Sequence, residues 1–123
     1  MGPGRPRSAK VLCAAAAVAA PLAAGGCLAI KPRPDFDSAF APDRHLAIEQ
    51  ARARGDRSAV DDLIRQLSDD DLLLRWSAND ALVDLTGHDA GFEPDASERE
   101  RRAGIDRWMS WRGVQQAGPE DAG

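Results

Sequence analysis

Apolar residues return every three to four positions along four stretches of this 123-residue chain, and polar or breaker residues separate the stretches. The first, Asp43 to Arg54, sets Ala47, Ile48 and Ala51 on one side and meets Gly55, a residue suited to a left-handed helix stop. Asp56 is placed to cap the second, in which Ala59, Val60, Leu63, Ile64 and Leu67 form an amphipathic stripe. Ser68 to Asp71 is a polar turn whose carboxylates suit the positive end of a third helix dipole. That helix carries Leu74, Ala78, Ala81, Leu82 and Leu85 and stops at Gly87. A connection from His88 to Ala96, broken by Gly91 and Pro94, leads to Ser97 and Glu100 at capping-box spacing. The fourth helix they open has Ile105, Trp108 and Met109 as its predicted inner face, with Trp111 beside it. Gly104 inside that helix costs roughly 1 kcal/mol relative to alanine, which a close contact with a neighbouring helix would explain. The periodicity fades after Gly113, so residues 114–123 are expected to be a disordered tail.

The N-terminal pattern is different. No acidic residue occurs from Met1 to Gly26, and Arg5, Arg7 and Lys10 precede an apolar run from Val11 to Ala24, the layout of a secretory signal. The run is broken by Pro21 and is shorter than the ~20 residues a spanning helix needs. Cys13 lies inside it and leaves with the signal. Leu22-Ala23-Ala24-Gly25-Gly26 before Cys27 resembles the lipobox of bacterial lipoproteins, with Ala24 where the leucine commonly stands. The resemblance implies that Cys27 carries a diacylglycerol and an N-linked acyl chain such as palmitate. It further implies a chain anchored to a membrane of the bacterial cell envelope, on the periplasmic or outer face. Several acyl chains make such an anchor stable, where one alone would hold only marginally. Pro32, Pro34 and Pro42, with charges between them, read as an extended tether, onto whose end Phe36 and Phe40 are expected to fold back. The predicted layout is a signal at 1–26, the lipidated cysteine and linker at 27–41, a helical domain at 42–113 and the tail.

A fixed offset of 31 residues relates the first and third helices: Arg44 maps onto Arg75, Ala47 onto Ala78 and Ala51 onto Leu82. An offset of 45 maps Val60, Leu63 and Ile64 of the second helix onto Ile105, Trp108 and Met109 of the fourth. Gly55-Asp56, Ala59-Val60, Leu63-Ile64, Leu67, Asp69 to Asp71, Leu74-Arg75, Ala78, Ala81-Leu82 and Leu85 resemble the short bacterial HEAT repeat, the kind also seen in phycobilin lyase-like proteins. The likeness covers one repeat with half a repeat on either side, Pro42 to Arg112. It implies an all-α fold, a short right-handed HEAT-like solenoid of about four helices. The resemblance also implies a structural ladder of Arg44 and Arg75 with Asp69 or Asp71. The part from Leu85 through Thr86-Gly87 and Gly91-Phe92 to Trp108 and Trp111 is similar to small lipid-anchored HEAT proteins of bacterial envelopes. Solenoids are usually stable from three repeats up, so a partner, a second copy or the Phe36/Phe40 segment is expected to complete one end or face.

Charge narrows the function. The chain has 16 basic and 20 acidic residues, and removing the three bases of the signal leaves 13 against 20, a net of −7 that argues against nucleic acid. Catalysis needs a positioned nucleophile, base or metal. His45 lies at the start of a helix, where a surface or packing role is expected. His88 with Asp89, Glu93 and Asp95 matches no known ligand spacing, so no metal or cofactor is expected. The serines sit in no nucleophile elbow, and the Asp69 to Asp71 run reads as helix capping. Trp76, Trp108 and Trp111 are the candidate contact residues, since aromatics dominate binding hot spots. The expected function is a non-catalytic protein-interaction module held at a membrane, its partner unknown. Self-association as a structural envelope lipoprotein is the first alternative, and cofactor handling by analogy with phycobilin lyase-like proteins the second.

Overall fold

A computed structural model describes residues 30–118, so the signal at 1–26, Cys27 and the tail from 119 onward lie outside the described residues. The described part is all helical, with four α-helices and no strand. Helix α1 spans Ala41–Arg54, with Pro42 in its first turn, where no hydrogen bond is lost, and Asp43 beside the positive end of the dipole. It ends on Gly55 at φ 64°, and the next amide, that of Asp56, donates back to the Ala51 carbonyl at 2.9 Å. The second stretch divides. A 3-10 turn over Arg57–Ala59, capped by the Asp56 carboxylate on the Ser58 amide, leads into α2, Val60–Gln66.

Helix α3 spans Leu72–Thr86; the Asp71 carboxylate accepts from the Leu73 amide at 2.8 Å and Gly87 at φ 69° closes the other end. Helix α4, Glu98–Ala117, opens on the predicted capping box, with the Glu100 amide donating to Ser97 Oγ and the Ser97 amide to Glu100 Oε2. It runs through Gly113 to Ala117, past the point where the predicted tail begins. Adding a residue to an existing helix is far easier than starting one, and Val114 to Ala117 contain no breaker; Gly118 at φ 64° is where the helix stops.

Helix α3 lies along both α1 and α2, and α4 rests against α2. Ile48, Leu63, Leu67, Leu74, Leu82 and Trp108 are fully buried at the centre. Alanines 47, 51, 78 and 81 line the contact between α1 and α3, where small side chains let two backbones approach. The tether is ordered earlier than its proline content suggests. The Arg33 amide donates to Asp43 Oδ1 at 2.7 Å, Ser38 Oγ donates to Asp43 Oδ2 at 2.8 Å, and the Phe36 carbonyl accepts from Gln66 Nε2 at 2.9 Å. Phe36 packs half-buried on the core as expected, while Phe40 remains 46 % exposed. The folded unit accordingly begins at Pro32, not at Pro42.

Candidate functional site

The ladder residues join α1 to the α2–α3 turn. Arg44 Nε on α1 donates to Asp69 Oδ2 in the α2–α3 turn at 2.9 Å, and its Nη1 to the Ser38 carbonyl at 2.7 Å. Asp69 also caps the Asp71 amide. The other half of the expected ladder is not an ion pair. Arg75 is buried and spends its donors on carbonyls: Asp69 and Asp70 at 2.8 and 3.0 Å from Nη1, and Pro94 at 2.8 Å from Nε. Asp71 belongs to the α3 cap. Arg75 thus ties the α2–α3 turn to the long connection before α4, and its burial is tolerable because its guanidinium is hydrogen-bonded.

The connection itself packs inward. Ala90 and Phe92 are buried, Arg107 of α4 donates to the Ala90 and Gly91 carbonyls, and Asp89 caps the Gly91 amide. The His88 ring stacks on Trp111, with centroids 5.0 Å apart and planes 8° from parallel, and meets Trp108 edge-on at 5.3 Å. Among the described residues no three His, Cys, Asp or Glu side chains gather as a cation site. Gly104 meets Phe92 across this seam: a Cβ there would lie 2.8 Å from the ring and 3.2 Å from its Cα. The close approach implied by its place in the helix is present, but it comes from Phe92 on the connection and not from a neighbouring helix.

The three tryptophans separate. Trp108 is fully buried between His88 and Trp111 and cannot be a contact residue for a partner; its indole N–H has no hydrogen-bond partner among the described residues. Trp111 is half-buried in the stack, and Trp76 is 42 % exposed on α3. Met109 is a correction of the opposite kind. Placed on the inner face by its match to Ile64, it is 59 % exposed, because α4 turns Trp108 and Gly104 toward the core and leaves the next position at the edge.

That edge borders a hollow of about 510 Å³ between α2 and α4. Ile64, Ile105 and Met109 provide its apolar part, with Arg65, Arg112 and Asp61 around it. Arg112 grips Asp61 with two hydrogen bonds, 2.8 and 3.3 Å, which hold the Asp61 carboxyl below its ordinary value of 3.8 and the guanidinium above its own. Arg65 pairs with Asp62 one turn back and with Asp37 of the N-terminal segment.

A second hollow, about 390 Å³, lies between α1 and the start of α3 and is almost wholly apolar, lined by Pro32, Ala41, Pro42, Leu46 and Leu73 among others. Beside it Leu72 and Leu73 are 44 % and 60 % exposed, in the same stretch as Trp76. The sequence carried a signal for this patch: in Leu72-Leu73-Leu74 successive residues point 100° apart on a helix, so three consecutive leucines cannot all face one core. Among the described residues no helix is long and apolar enough to cross a membrane. No protein-family model, no curated protein and no solved structure matches the chain.

Proposed function

We propose that this chain is a lipid-anchored, non-catalytic binding module of the bacterial envelope, a short HEAT-like solenoid that takes a protein segment in the hollow between α2 and α4. The observation that carries this reading is Met109, exposed beside Ile64 and Ile105 on a concave face with charged groups at its margin. Methionine is unbranched and polarisable, so it moulds to different partners, and an amphipathic helix in a groove is the mode such a face suits. The segment that fits has an apolar stripe for Ile105 and Met109. It also offers polar or acidic residues for the edges of Arg65 and Arg112 that Asp61 and Asp62 leave uncovered. The repeat reading is supported by Arg44–Asp69, the one ladder contact that forms as an ion pair, and by α3 packing along both α1 and α2. The anchor reading rests on the lipobox-like run before Cys27.

A photo-crosslinking amino acid placed at position 109 of the full chain in native envelopes tests the proposal. The expected result is a defined crosslinked partner, identified by mass spectrometry, that is not captured from position 106 and is lost when Ile105 is changed to Asp. Equal capture from both positions would remove the hollow from consideration. Crosslinks only to a second copy of the chain would replace the partner by self-association.

A further inference from the structure

We infer that the patch formed by Leu72, Leu73 and Trp76 at the start of α3, together with the hollow beside Pro32 and Pro42, is a bilayer-docking surface that seats the domain on the membrane holding its anchor. This rests on the proposal that Cys27 is acylated, and it adds which face meets the lipid.

Two independent features converge on it. The first is the patch. Leu72 and Leu73 stand one turn from Trp76, so the three side chains adjoin on the helix surface, and all three are at least two-fifths exposed. Leu73 also lines the hollow between α1 and α3, so the apolar surface continues across to Leu46, Pro42 and Pro32. Leucine and tryptophan exposed together are what an interfacial surface requires: the aliphatic chains enter the acyl boundary and the indole, apolar in body and polar at one edge, sits at headgroup depth. The next exposed positions along α3, Asp80 and Asp84, are charged, and Asp84 is held by Arg52 of α1 at 2.6 Å. The apolar surface therefore ends after two turns, which suits shallow seating.

The second feature is the length of chain between anchor and domain. The folded unit begins at Pro32, which itself lines the hollow, and Arg33 is already hydrogen-bonded to Asp43. Four residues lie between Cys27 and Pro32, and the five steps of a fully extended chain span at most about 18 Å. An acylated Cys27 at the bilayer surface would hold this end of the domain within that distance of the lipid, so the patch meets it at high effective concentration. The α2–α4 hollow is lined from the other helix pair and shares no residue with this one. The charge pattern selects the type of surface. Asp70 and Asp71 lie beside Leu72 and Glu49 lines the hollow, and these acids offset the exposed Lys31 and Arg33 on either side of Pro32, so there is no net basic patch for anionic headgroups and docking onto zwitterionic lipid should be insensitive to salt.

The test uses the full chain purified from membranes and reconstituted in phosphatidylcholine vesicles whose acyl chains are brominated just below the headgroups, so that bromine quenches indoles at that depth. The expected result is quenched tryptophan emission, with the quenching lost in Trp76→Phe and in Leu73→Asp but retained in Trp111→Phe, and unchanged by added salt. Positions 73 and 76 are exposed and Trp111 is half-buried, so circular dichroism of each variant checks that the helices remain. Mass spectrometry of the same material reads the acyl state of Cys27. An acylated protein that floats with the vesicles and is not quenched overturns the docking surface and leaves the anchor intact. An unacylated cysteine overturns the anchor and the short-tether geometry with it. Chain-to-chain crosslinks from position 73 without quenching would assign the patch to a second copy instead.

Discussion

Helices α1 and α3 and helix α4 solve the same burial problem in opposite ways. Between α1 and α3 the buried residues are numerous and four of the seven are alanines: Ala47, Ile48 and Ala51 face Leu74, Ala78, Ala81 and Leu82. Helix α4 is the longest, at 20 residues, yet only Gly104 and Trp108 on it are buried. One is a hole that receives Phe92 and the other a large knob that enters the core. A distributed seam loses little when one member is trimmed, whereas α4, whose other core contacts, Ile105 and Trp111, are only partly buried, leans heavily on its knob and its hole. Helix α4 should therefore be the least secure part of the fold and the easiest to release as a unit.

The largest expected effect follows directly. Trp108→Ala should cost about 3–5 kcal/mol, the range for truncating a fully buried aromatic. Hydrogen exchange would sharpen the comparison: amides of α4 should lose protection before those of α1 and α3. Ala78→Gly, also at a fully buried site, should cost only about 1 kcal/mol, mainly as helix propensity, because its neighbours still pack. If the two variants unfold with equal loss in a urea titration, the distinction between knob and seam is wrong.

Arg75 comes next. Replacing it by Met keeps the aliphatic stem but leaves the carbonyls of Asp69, Asp70 and Pro94 without their donor, for an expected loss of about 2–3 kcal/mol in the same titration. Arg75→Lys should recover only part of this, since an ammonium lacks the planar fork that reaches both sides.

The glycines of α4 give a prediction of opposite sign at two positions of one helix. Gly104→Ala forces a methyl group against Phe92 and should destabilise by about 1–3 kcal/mol. Gly113→Ala meets no atom within 4 Å and should stabilise by up to about 1 kcal/mol through helix propensity. Thermal melts of the two variants moving in the same direction would show that α4 does not seat on the connection as described.

What could be read in the sequence divides along the same line. The helices and most of their ends were legible because their causes are local: Gly55 and Gly87 turn the chain, Asp71 caps two residues on, and Ser97 and Glu100 satisfy one another; the end of α4 was not, since it passes Gly113 and runs to Ala117. Gly104 was legible as a contact but not its partner, since Phe92 arrives on an aperiodic connection. The rotation of α4 was not legible. An offset match assigned Met109 to the core, and only the choice of Trp108 as the knob, made across the fold, turns it outward into the candidate hollow. Arg75 misled for a related reason: the repeat pattern implied a carboxylate partner, but the carbonyl of Pro94, 19 residues away, occupies that place. The Leu72–Leu73–Trp76 patch needed no structure at all, only attention to how three successive leucines are distributed around a helix.

The smallest expected effect is electrostatic and concerns the ion pair that links α4 to α2. Asp61 has its pKa lowered by the hydrogen bonds from Arg112, so folding favours the carboxylate over the protonated acid. The stabilisation is therefore fully present above the ordinary value of 3.8 and is lost as pH falls through that value toward the lowered one. Both side chains are partly solvated, at 29 % for Arg112 and 60 % for Asp61, so the pair is worth about 0–1 kcal/mol at neutral pH and less in high salt. Asp61→Asn should abolish this contribution at pH 7, and its effect should shrink as pH falls below 3.8 and the native carboxyl takes up its proton. Denaturant midpoints of the two proteins across that range should converge on acidification. A gap that persists at the acid end would mean that Asp61 acts through packing and not through its charge.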